Sequence, residues 1–180
     1  MLVQLFNALA LTLDALAIPA QSLVAGALGA GDVALAVRVG NSSTRLSLWC
    51  GAGLAVLLAV TSPVLPALFT DDPAVRSRLT AGLLILAVMQ FPGAIAFALD
   101  GALIGAHDER FLGLAAMFNL VGYVPLAALT LAFPVLGIVG LWTAQLMWMS
   151  TRAVVNEVRW RSRRWTVHLL GRRSVTIAPS

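Results

Sequence analysis

LTAGLLILAVMQFPGAIAFALDGALI, residues Leu79–Ile104, holds a single ionisable side chain, Asp100. A helix needs about 20 apolar residues to cross the hydrocarbon core of a bilayer, and this run exceeds that. Lipid gives backbone N–H and C=O groups no partner, so such a run must be a helix. Four more runs have the same character: Leu2–Leu28, Leu46–Phe69, Phe111–Phe133 and Val135–Val155. The expected fold class is an all-α integral membrane protein of five transmembrane helices. They occupy residues 1–157, followed by a basic tail over 158–180.

Composition agrees. The chain is 59% hydrophobic and only 11% charged, and its mean hydropathy is +0.90, far from the soluble globular range. The first run is too long for a signal-peptide h-region and carries Asp14, so it reads as a span. All twelve basic residues are arginine and the net charge is +4. The excess lies in the tail beside a membrane helix, which argues for a lipid surface and against nucleic acid. Cys50 stands alone and reads as a small packing residue.

Arg38, Arg45, Arg110, Arg152 and the six tail arginines fall on one side of the alternating loops, against Arg76 and Arg78 on the other. The positive-inside rule then puts the C-terminus in the cytoplasm and Met1 outside. A chain that begins outside with a span, without a basic flank, is expected to be a piece of a longer protein.

Asp14 sits in the first run as Asp100 sits in the third. A charge at membrane depth costs about 2.5–3.5 kcal/mol on insertion scales, so such acids are usually kept for ion, proton or substrate handling. Asn7, Asp14 and Gln21 recur every seven residues, which lays them along one helical stripe that drifts about 20° per step. An interhelical hydrogen-bond ladder would explain Asn7 and Gln21 but does not require a carboxylate. Pro19, Pro92 and Gly93 are candidate hinges, since proline removes a helical donor. Gln90, Asn119 and Tyr123 join Asn7 and Gln21 as candidate cavity-lining groups. Gly101 and Gly105 form a GxxxG step suited to a close helix crossing. Asp71 or Thr70 is the expected N-cap of the third helix, with Pro73 in its first turn. Trp160 and Trp165, among arginines, suit a segment lying on an anionic leaflet. His107 reads as a solvated loop residue. No nucleophile–base pair, phosphate-cradling loop or metal-spaced cluster is visible, so no catalytic residue, metal or cofactor is expected.

Three motifs then carry a family resemblance. LDALAIPAQ (Leu13–Gln21) followed by LGAGD (Leu28–Asp32) resembles the eighth helix of multidrug and toxic compound extrusion (MATE) transporters, with the DinF-like branch closest. PALFTDDP (Pro66–Pro73) resembles the loop between helices nine and ten. FALDGALIGAHD (Phe97–Asp108) resembles the helix-ten signature, where the family usually has glycine in place of His107. The resemblance runs from about Leu2 to Arg164.

It implies a twelve-helix antiporter of two six-helix lobes, of which this chain holds helices eight to twelve, a partial C-terminal lobe. It further implies a bacterial plasma membrane protein that exports cationic or amphipathic compounds against H+ or Na+. Asp100 matches the acid that sodium-coupled members use for the cation, with Asp14 as a second carboxylate. Other family acids, on helix seven and in the N-terminal lobe, have no counterpart here, so transport would need that lobe, from the same gene or another chain. Two other readings compete: a non-transporting remnant or split half, and a lipid-linked oligosaccharide flippase, which would need arginines inside the spans.

Overall fold

A computed structural model describes residues 1–133 and 136–166. Val135, the expected start of the fifth span, and the expected tail beyond Thr166 lie outside the described residues. Five helices follow in order: α1 (Leu2–Gly29), α2 (Val33–Thr61), α3 (Pro73–Gly105), α4 (Glu109–Ala132) and α5 (Gly137–Arg161). Short 3-10 turns occupy Leu65–Leu68 and Arg164–Thr166. The helices α1 to α4 are long and apolar enough to cross a membrane. The fifth expected span is a helix too, but Arg152, Asn156, Glu157 and Arg159 make it more polar than the others.

Several boundaries differ from expectation, and α5 runs to Arg161 rather than ending at Val155. The second span was expected over 46–69, but its helix begins at Val33 and ends at Thr61. Asp32 starts it early: its Oδ1 accepts from the Leu35 amide at 2.7 Å, satisfying an orphan donor of the first turn. Pro63 and Pro66, which cannot donate, end it early. The N-cap of α3 is Asp72 rather than Asp71 or Thr70, with Oδ1 accepting from Ala74 at 2.8 Å and Val75 at 3.4 Å. Thr70 instead supports the cap, its hydroxyl accepting from the Asp72 amide at 3.2 Å.

The central helix is α3, packed by α1, α2 and α5. Leu83, Leu86, Ala94, Ala96, Leu99 and Leu103 are fully buried on its several sides. By contrast α4 packs chiefly on α5 and leaves Met117, Phe118 and Val121 exposed. An apolar side chain exposed on a spanning helix faces lipid or another helix at no cost.

The GxxxG step sets the spacing between α1 and α3. A Cβ on Gly101 would run into the Ala17 carbonyl, and one on Gly105 into the Gln21 carbonyl. The two backbones therefore touch directly, which brings the helix of Asp14 against the helix of Asp100.

The turns α1–α2 and α3–α4 share one construction. In the first, Asp32 N donates to Ala27 O at 2.9 Å and Gly31 N to Leu28 O at 3.0 Å; in the second, Asp108 N donates to Leu103 O at 3.0 Å and His107 N to Ile104 O at 2.9 Å. Both are Schellman caps, which need a left-handed residue. Gly31 supplies it at φ +80° and His107 at φ +58°.

Trp160 and Trp165 do not lie on a leaflet. Both are buried and stacked, with ring centroids 4.7 Å apart. The Trp160 ring fills the notch left by Gly40 of α2, and its Nε1 donates to Asn41 Oδ1 at 2.9 Å. Burial of two indole faces in a fitted notch outweighs what an interface offers them.

Candidate functional site

Asp100 lies on α3, five residues before its end, and faces α5. Its Oδ2 accepts from Arg152 Nη2. Its Oδ1 accepts from Asn156 Nδ2 at 2.7 Å, and the same amide reaches the Ala96 carbonyl at 3.4 Å. The carboxylate is only 14% exposed and Arg152 29%, so each charge is compensated where water is scarce. The Arg152 guanidinium also lies 5.5 Å from the Phe97 ring centre and 5.7 Å from that of Trp148. A cation over aromatic faces is attracted by their quadrupoles.

These groups line a cavity of about 410 Å3, bounded by α3, α4 and α5 and completed by Asp14 of α1 and Asn119 of α4. Asp14 is exposed, and it makes no hydrogen bond or ion pair among the described residues. Two carboxylates against one guanidinium leave the cavity with a net negative charge, localised at Asp14. The Trp148 Nε1–H is buried without a partner among the described residues. The site thus offers an unpaired acid, a paired acid, aromatic faces and one unused donor.

Three of the candidates chosen from the sequence, Asp14, Asp100 and Asn119, meet in this cavity. The others do not line it. Asn7 is exposed and Gln21 half-buried. Gln90 is buried against its own helix, with Nε2 donating to Leu86 O at 3.0 Å. Tyr123 is half-buried and reaches the site only through Trp148, 6.0 Å away between ring centres. Pro19 lies within α1, and Pro92 and Gly93 within α3, and both helices run unbroken past them.

Arg152 and Asn156 were not among those candidates. Arg152 was counted with the loop arginines, whereas it lies inside α5 with its head in the cavity. A signal was present: Trp148, Arg152, Asn156 and Arg159 are spaced by four, four and three residues, which is one face of a helix. The last member serves a second pair. Arg159 Nε and Nη2 donate to Asp108 Oδ2 and Oδ1 at 2.6 and 2.9 Å, with Asp108 2% exposed. This bidentate bonding raises the Arg159 pKa further above its usual range.

The family model described as MatE matches residues 2–129. The chain belongs to the MatE family. MatE proteins are membrane transporters and not enzymes, so this is a multi-pass membrane protein of a transporter family. Relatives include "Protein DETOXIFICATION 44, chloroplastic" of Arabidopsis thaliana, 34% identical over 88% of this chain and 30% of its own length. "Probable multidrug resistance protein NorM" of Xanthomonas campestris is 31% identical over 79% of this chain and 32% of its own length. The MatE chain described here therefore spans about a third of the length of the curated relatives it matches. No solved structure matches it. Within the MatE match lie Asp14, Asp100 and Asn119, whereas Arg152 and Asn156 follow it.

Proposed function

We propose that this chain is the C-terminal part of a DinF-like drug and toxin antiporter, helices eight to twelve of twelve. It would sit in a bacterial plasma membrane with its C-terminus in the cytoplasm. It would export cationic or amphipathic compounds against H+ or Na+ once joined by an N-terminal lobe. The observation that carries this reading is the cavity in which α1 and α3 each present an acid. The name of the Xanthomonas relative, a probable multidrug resistance protein, points the same way.

The geometry suggests how the acids divide the work. Arg152 already occupies Asp100 as a tethered cation, so a proton or sodium ion that takes Asp100 must release Arg152. Asp14, with no partner among the described residues, is the group an arriving cation meets first. Ion binding and side-chain rearrangement are then one event, which is what exchange across a membrane requires. In the complete transporter, Asp100→Asn abolishes ion-driven efflux while the protein stays folded and inserted. Undiminished efflux in that variant removes Asp100 from the mechanism.

A flippase for lipid-linked oligosaccharides would need positive charge in the spans to hold its phosphates. Arg152 is in the cavity, but Asp100 neutralises it and Asp14 leaves the cavity negative. That balance favours a cationic cargo.

A further inference from the structure

A second cavity, of about 540 Å3, lies between α2 and the end of α5. Its charged lining is Arg45 from α2 with Arg161, Arg163 and Glu157 from α5 and the turn beyond it. Glu157 is committed: its Oε1 accepts from Arg161 Nε at 2.5 Å. The side chains of Arg45 and Arg163 make no hydrogen bond or ion pair among the described residues, so three guanidinium groups against one carboxylate leave two positive charges unanswered. Part of the floor is apolar, from Leu48 and Ile95.

Its position gives the ligand a class. Trp49 follows Arg45 by four residues on α2, hence on the same face, and is 78% exposed. The recess therefore borders an apolar outer surface of the bundle, the kind that faces acyl chains. Arg163 is held in place by backbone geometry: it adopts φ +56°, the turn that returns the chain so that Trp165 stacks on Trp160. A doubly positive, partly apolar-floored recess at that surface fits a phosphate that carries acyl chains.

We propose that this recess binds an anionic phospholipid, with Arg45 and Arg163 on the phosphate and an acyl chain against Leu48 and Ile95. The site is separate from the Asp100 cavity and does not depend on the transport reading.

The test is thermal unfolding of the purified full chain in detergent, with added phosphatidylglycerol, phosphatidylcholine or inorganic phosphate. Ligand that binds only the folded state raises Tm by mass action, here by about 5 °C at a free lipid concentration of about 100 Kd. Phosphatidylglycerol gives this shift, phosphatidylcholine and inorganic phosphate do not, and salt weakens it. Arg45→Gln with Arg163→Gly cuts the shift by more than half; glycine keeps the left-handed turn while removing the charge. Arg45→Gln alone, on an exposed helical position, gives a partial loss if the double variant does not fold. An equal shift with phosphatidylcholine, an equal shift with inorganic phosphate, or an undiminished shift in the variants that fold would each overturn the proposal.

Discussion

Asp14 on α1 stands at the cavity rim with no partner among the described residues, whereas Asp100 on α3 is held by Arg152 and Asn156 of α5. Both acids sit in long apolar runs of similar composition, and both helices are bound together at the Gly101 and Gly105 crossing. Their difference comes from the facing helix. Asp100 meets the polar face of α5, which supplies a counter-charge and an amide; Asp14, exposed at the rim of the same cavity, meets neither. A carboxylate's setting in its own helix therefore says that it is costly, but the neighbouring helix decides whether that cost is met within the described chain.

The largest way to break the comparison is to part the two helices. Gly101→Val places methyl groups against the Ala17 carbonyl and costs about 3 kcal/mol or more, seen as an earlier midpoint in SDS-induced unfolding. Next is the ion pair itself. Arg152→Ala leaves Asp100 with only Asn156 and costs about 2 kcal/mol, less than a fully enclosed pair because the cavity admits water. Adding Asp100→Asn to that variant recovers more than half of the loss; no recovery would mean that Arg152 stabilises by packing on Phe97 and Trp148 alone. Asn156→Ala costs about 1 kcal/mol, the range of a single interhelical hydrogen bond in a membrane protein. Asp14→Asn changes stability by under about 0.5 kcal/mol, yet it diminishes efflux in the complete transporter. A large stability loss there would show that Asp14 has a structural partner and would erase the contrast with Asp100.

Much of this architecture was legible in the sequence. Hydrophobic runs located all five helices, because length and apolarity are sufficient to recognise a span. The GxxxG step was legible as a crossing. What composition could not place was the true extent of α2, since Arg38 and Arg45 look like loop residues although Asp32 caps the helix ahead of them. The site was half legible. Asp14 and Asp100 announced themselves as misplaced charges. Arg152 did not, because an arginine close to the end of an apolar run has an ordinary explanation as an interfacial residue. The contacts of Trp160 were similarly hidden, since the notch that receives its ring is a missing side chain, Gly40, more than a hundred positions earlier in the chain.

The end of α5 fastens two adjacent residues to two different places: Arg159 to the α3–α4 turn through Asp108, and Trp160 to α2 through Gly40 and Asn41. That rivet makes this end of the bundle a single plate. Only α4, which touches the central helix little and packs chiefly on α5, is left free to shift against that plate.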